Sequence, residues 1–239
     1  MQPELVLVAG PLVGVSGWRP TARKLRALDW QVHLPDVLTA AGGPTHAPRW
    51  SSWPSQLVAL LSLSEPPIMV GHSIASLLVA DLACKLPVRG VIIVDGEIPP
   101  DRGPTGPVTP EFRQRIEQRA DRDGLLPPWS EWWRTERGAA ILGTDVLARH
   151  PELYEEFQRG LPRMRLDWFD DVIELSPWSH VPAGYVQTSA LYEHSADEAE
   201  RRGWPVIRLR GTHLHPTLQP DETAEAIARL VAQIERRPP

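Results

Sequence analysis

The stretch Ile68-Met69-Val70-Gly71-His72-Ser73-Ile74-Ala75-Ser76 joins a short apolar run, a Gly-His-Ser turn and an alanine-rich apolar segment. That order predicts strand, sharp turn and helix, with a serine at the apex. Such a nucleophile elbow lifts the serine oxygen to the top of a sheet, where a neighbouring base can activate it. The usual spacing is Gly-x-Ser-x-Gly. Here the last position is Ala75, the smallest substitute, so close helix–strand packing can survive it. The alternative is a plain turn serine between a strand and a helix. Eight histidines are available as bases, whereas the single Cys84 excludes an internal disulfide and any multi-cysteine metal site. Cys84 falls in the segment after the elbow and reads as a small buried apolar residue.

The elements that must position Ser73 follow from apolar patterning. Leu5 to Ala9 is a continuous apolar run ending at Gly10, as expected of a strand buried on both faces. A helix is expected over Trp18 to Leu28, a second strand over Trp30 to Asp36 and a Gly/Pro-containing loop over Ala40 to Arg49. A short helix over Ser55 to Leu63 precedes the elbow strand from Pro66 to Val70. The helix leaving the elbow covers Ile74 to Leu86, and Val91 to Asp95 is the next buried strand. Pro and Gly crowd 97–110, and Thr109-Pro110-Glu111 carries an N-cap, a first-turn proline and an acidic first turn. Several short helical patterns fill 111–175, broken by Pro127-Pro128, Pro151 and Pro162. Strands return at Ala183 to Thr188 and Trp204 to Leu209, flanking a helix near Ser195 to Arg202. The final helix starts at Pro220-Asp221-Glu222 and puts Ile227, Leu230, Val231 and Ile234 on one face.

Strands alternating with helices imply an α/β fold, a mainly parallel sheet covered on both sides. The 239 residues, 42 % of them hydrophobic, suffice for one sizeable core, since α/β folds run to about 200–250 residues as one domain. The expected organisation is a core of residues 1–108 and 179–239 with a helical insertion at 109–178. A net charge of −5, with Arg201-Arg202 and Arg236-Arg237 only as pairs, gives no nucleic-acid footprint. No apolar run approaches the roughly 18 residues of a membrane span. Met1-Gln2-Pro3-Glu4 lacks a basic stretch, so no signal peptide and a cytoplasmic location are expected.

Taken in order, Ala9-Gly10, Gly71-His72-Ser73-Ile74-Ala75, Asp95 and Gly211-Thr212-His213 before Pro220 and a C-terminal helix resemble the α/β-hydrolase superfamily over almost the whole length. The resemblance implies that Ser73 is the nucleophile, that Ile74 N–H serves the oxyanion, and that 109–178 is a cap roofing the pocket. It implies His213 as general base, with His215 two residues on as rival. For the acid that would orient the histidine it favours Asp95, closing the strand after the elbow helix, and leaves the choice open. Glu193 is the alternative acid, near the strand after which many members carry it, and Glu97 is a weaker third. No metal and no organic cofactor are implied; a monomer or a homodimer fits.

One departure bears on the chemistry. The residue after the Ala9-Gly10 pair would ordinarily donate a backbone N–H to the oxyanion, but here it is Pro11, which has none. Loss of one such donor typically costs about 100–1,000-fold in rate. Leu12 substitutes if the loop is displaced by one residue. Otherwise the machinery suits proton abstraction, elimination or cyclisation better than acyl transfer. Ten Trp against three Phe and three Tyr, with five of the Trp between 129 and 178, suggest an aromatic roof. Trp18, Trp132 and Leu12 are the expected pocket residues, and a hydrophobic small molecule is the expected substrate. The Pro-, Arg-, Trp- and Ala-rich, Lys-poor composition is compatible with secondary, polyketide-type metabolism. The expected function is serine-dependent hydrolysis of an ester, lactone or thioester; the alternative is a cofactor-free lyase or cyclase of the same fold with His213 as base.

Overall fold

The computed structural model describes residues 2–43, 46–133 and 135–236. Pro44 and Thr45 of the expected 40–49 loop, and Arg237 of the C-terminal arginine pair, lie outside them. The chain begins with β1 (Leu5–Val8), α1 (Arg19–Ala27), β2 (Val32–His33), α2 (Val37–Ala40), α3 (Trp53–Ala59), β3 (Ile68–His72), α4 (Ala75–Lys85) and β4 (Gly90–Val94). Next come β5 (Gly103–Thr105), α5 (Pro110–Glu117), α6 (Glu136–Leu142), α7 (Thr144–Leu147), α8 (Pro151–Arg159) and β6 (Ile173–Leu175). It closes with β7 (Ala183–Gln187), α9 (Glu193–Arg201), β8 (Val206–Arg208), α10 (His215–Leu218) and α11 (Pro220–Glu235).

The main sheet has the order β2-β1-β3-β4-β7-β8, and every pairing in it is parallel. β1, β3, β4 and β7 are buried along their whole length. Alternate residues therefore feed two cores. Leu5, Leu7, Val70 and Ile92 pack with α1 and with Ile227, Leu230, Val231 and Ile234 of α11. Val6, Val8, Met69 and Ile93 pack with α3, α4 and the residues of 109–178. Burial of each α11 side chain contributes on the order of 1.5–3 kcal/mol before entropy is counted.

The many prolines have a definite use. Pro20, Pro54, Pro110, Pro151, Pro216 and Pro220 each sit in the first turn of a helix, where the missing N–H costs nothing. The second strand is shorter than its pattern suggested, because Asp36 caps α2 at once by accepting from Thr39 N. The 109–178 segment is also not purely helical. β6 pairs antiparallel with β5, which precedes the segment, so a two-stranded ribbon ties the segment's end to the chain leaving β4. Three-residue strands with a Gly-Pro pair carry too little alternation to show in the sequence. Trp129, Trp132, Phe157, Trp168 and Trp178 join the same core as α4 and β4.

Candidate active site

β3 runs through Gly71 and His72 into the turn, and Ser73 takes a left-handed φ of 58°. A non-glycine residue there is strained by on the order of 1–3 kcal/mol and persists only where its surroundings over-determine it. Ser73 N–H donates to Val94 O across the sheet at 3.0 Å. A Cβ on Gly71 would lie 2.7 Å from the Ala75 carbonyl oxygen, so the close helix–strand approach falls on this glycine. Ala75 itself is fully buried at the start of α4 and accommodated as alanine.

Asp95, at the end of β4, is fully buried and also left-handed, with φ 46°. Its Oδ1 accepts from Thr188 N–H and Ser189 N–H, each at 2.8 Å. Its Oδ2 accepts from Ser189 Oγ–H at 2.7 Å and from His213 Nδ1 at 2.8 Å. Burial pushes the carboxyl pKa up, but His213 and the Ser189 and Thr188 donors outweigh it and hold Asp95 below the ordinary carboxylate range. A carboxylate only accepts, so the His213 proton sits on Nδ1 and the neutral ring offers a lone pair at Nε2. Tyr185 of β7 pins the turn beyond Asp95: its O–H donates to Gly96 O at 2.8 Å.

The loop carrying His213 is held from several sides. His213 N–H and Leu214 N–H donate to Ile141 O and Leu142 O of α6, at 3.0 and 2.9 Å. Thr188 Oγ–H donates to Thr212 O at 2.9 Å. His72 Nε2–H donates to His213 O at 2.9 Å, and the two imidazoles lie with centroids 4.5 Å apart and planes tilted by 34°. Burial, with repulsion from His213 second, lowers the His72 pKa to about 3, so this ring stays neutral.

A cavity of about 20 Å³ is lined by Ser73, Ile74, His72 and His213, with Leu12, Trp18 and Trp129 among the remaining walls. That is room for about one water. The Trp129 ring lies 6.4 Å from His213 and roofs it. Trp18 anchors its indole N–H on Val8 O at 3.0 Å. Beside Pro11 the chain turns, with Val13 N–H and Gly14 N–H both donating to Gly10 O at 3.1 and 2.8 Å. Among the described residues neither Leu12 N–H nor Ile74 N–H has a backbone acceptor. Both residues line the cavity, and Pro11 does not.

The other expectations fall as follows. Trp132, expected in the pocket, packs between Phe112 and Phe169 and donates its indole N–H to Pro127 O at 2.8 Å; Trp129 takes the cavity position. His215 is buried against α11, with Nε2 3.3 Å from Glu222 Oε2, and does not line the cavity. Glu193 is exposed at the start of α9, and Glu97 pairs on the surface with His194 at 2.9 Å and with Ser195. The sequence pattern does not single out Thr188, Ser189 or Tyr192 as site residues, whereas Trp129 is one of the five tryptophans of the expected aromatic roof. The hydroxyl-rich Gln187-Thr188-Ser189 directly after a strand was the available signal, since it supplies donors where an acid was sought.

Comparison with known proteins agrees with this architecture. A point mutant of tomato Methylketone Synthase I matches with a TM-score of 0.74 at 16 % identity, over 98 % of this chain and 99 % of its own. The pyrethroid hydrolase PytH gives a TM-score of 0.70 at 17 % identity, over 98 % and 99 %. An extracellular alpha/beta-hydrolase from a Paenibacillus species, described as sharing structural and functional homology to Tobacco Salicylic Acid Binding Protein 2, gives 0.68 at 16 %, over 95 % and 98 %. At such identities the likeness concerns the fold alone. Among curated proteins none matches this chain by sequence. The Alpha/beta hydrolase family model does match, over residues 5–226. With its parallel sheet, its elbow at Ser73 and that match across nearly the whole length, the chain belongs to the alpha/beta hydrolase family.

Proposed function

We propose that the protein is a serine-dependent hydrolase acting on an ester, lactone or thioester of a hydrophobic small molecule. The observation that carries this reading is the buried 2.8 Å bond between Asp95 and His213 Nδ1, with Ser73 on a strained turn lining the same cavity as that histidine. In this mechanism His213 Nε2 takes the Ser73 proton as Oγ attacks the carbonyl carbon, and returns it to the leaving group. Asp95 fixes the tautomer and stabilises the imidazolium. Ile74 N–H and Leu12 N–H receive the oxyanion, Leu12 replacing the donor that Pro11 lacks. Segment 109–178 acts as the cap, with Trp129 as the part that must shift to admit a substrate larger than the cavity. A role in polyketide-type metabolism rests on composition alone.

The second reading, a lyase or cyclase eliminating a small carboxylate with His213 as base, draws on Pro11. If Leu12 N–H does not reach the oxyanion, acyl transfer loses a donor while proton abstraction does not. Intact-mass spectrometry after treatment with a fluorophosphonate tests the choice. Stoichiometric labelling that disappears in Ser73→Ala is the expected result. Unlabelled folded protein, with turnover retained in Ser73→Ala and lost in His213→Ala, would overturn serine hydrolysis in favour of the lyase.

A further inference from the structure

Asp95 holds His213 through Oδ2, and a second side chain uses the same oxygen. Ser189, the second residue after β7, is buried and grips the carboxylate twice. Its N–H donates to Oδ1 at 2.8 Å and its Oγ–H to Oδ2 at 2.7 Å. Its Oγ also accepts from Leu191 N–H at 3.2 Å. An amide N–H only donates and a carboxylate only accepts, so the hydroxyl proton points at Asp95. The backbone of Ser189 is fixed as well. Its carbonyl accepts from Gln187 Nε2–H at 3.0 Å, and Gln187 Oε1 in turn accepts from Arg208 Nη1–H at 2.7 Å. We propose that Ser189 is a positioning residue that sets where on the pH scale the base becomes available: by sharing Oδ2 with His213, its hydroxyl weakens the hold of Asp95 on the protonated imidazole.

The proposal rests on the serine reading above. A carboxylate at hydrogen-bond distance favours imidazolium over neutral imidazole, and a donor on that carboxylate reduces its basicity. Removing the Ser189 hydroxyl leaves His213 as the one side-chain donor on Oδ2 among the described residues. The imidazolium is then better stabilised, and His213 keeps its extra proton to a higher pH. With the hydroxyl present, the ring is neutral and ready to take the Ser73 proton at a lower pH. The other titratable groups around the pair sit on four elements. Burial lowers the pKa of His72 of β3 and of His215 of α10, which faces Glu222, and holds each toward its neutral ring. Burial raises the pKa of Tyr185 of β7 and of Tyr192 in the turn after it, so both phenols keep their protons. His194 of α9, paired with Glu97, faces the Tyr192 ring at 6.2 Å.

The test is the rate of fluorophosphonate labelling of Ser73 measured from about pH 5 to 9, where the acid limb reports protonation of the free base. Ser189→Ala is expected to move the midpoint of that limb up by about half to one pH unit, with native circular dichroism. Ser189→Thr keeps the hydroxyl, and the extended backbone at this position (φ −132°, ψ 162°) suits a β-branched residue. It is expected to return the midpoint to that of the wild type. A midpoint in Ser189→Ala that stays or falls would overturn the proposal while leaving the serine reading intact. So would a midpoint in Ser189→Thr displaced as far as in Ser189→Ala, since the hydroxyl would then not be the cause. Slower labelling at every pH with an unmoved midpoint, or loss of the native spectrum in Ser189→Ala, would also overturn it, as the mark of a packing role. A folded wild type that never labels at Ser73 would overturn both.

Discussion

Replacing Asp95 by Asn changes one atom at the centre of four hydrogen bonds, and the geometry dictates how the amide must lie. Two backbone N–H groups point at Oδ1 from 2.8 Å. Turning the amide NH2 toward them would leave buried donors facing donors, at about 1–3 kcal/mol for each unpaired group. The amide oxygen therefore stays at Oδ1, and the NH2 faces Ser189 Oγ and His213 Nδ1. Ser189 can rotate its hydroxyl to accept. His213 can accept only by moving its proton to Nε2, which removes the lone pair that Ser73 needs. Restoring the active tautomer sets N–H against N–H, and the imidazolium formed in turnover loses an anion at hydrogen-bond distance. That anion is worth about 4 kcal/mol for unit charges roughly 4 Å apart at an effective dielectric near 20. Asp95→Asn is therefore expected to lower kcat on the order of 10³–10⁴-fold with KM little changed and circular dichroism native. The assay is hydrolysis of p-nitrophenyl acetate alongside the rate of fluorophosphonate labelling. A variant that keeps more than a tenth of wild-type activity would refute the reasoning and leave Asp95 as a loop-capping residue.

Other consequences can be checked separately. Ser73→Gly relieves the left-handed strain at φ 58° and should raise Tm, by about 1 kcal/mol or more of stability, while abolishing labelling; an unchanged or lower Tm contradicts the strain argument. His72 is depressed from 6.5 to about 3, so the unfolded chain takes its proton first. Its contribution is complete above pH 6.5 and declines by roughly 1.4 kcal/mol per pH unit below it, down to about pH 3. His72→Gln keeps a donor for His213 O and should flatten the fall in denaturant midpoint between pH 6.5 and 4.5; an identical slope in both proteins sinks the assignment. Trp129→Ala removes the roof over His213 and should lower KM for esters of bulky acids relative to acetate; an unaltered preference would place the entrance elsewhere.

The linear pattern of residues determined much of this protein. Apolar runs such as Leu5–Val8 and Gly90–Val94 need both faces covered, which forces a parallel α/β sheet, and Gly71-His72-Ser73 marks the turn where it can present an oxygen. Those features are local, set by side-chain type and backbone sterics within a few residues. Tertiary structure decided what depends on distance. Asp95 rather than Glu193 meets His213 because parallel pairing of β4 with β7 brings Thr188 and Ser189 over the carboxylate, 93 and 94 residues away in sequence. Trp129 rather than Trp132 reaches the cavity because Trp132 spends its indole N–H on Pro127 and its ring on Phe112 and Phe169. Composition and periodicity record which groups must be buried, but not which buried group meets which, because that choice is made by packing between elements far apart in the chain.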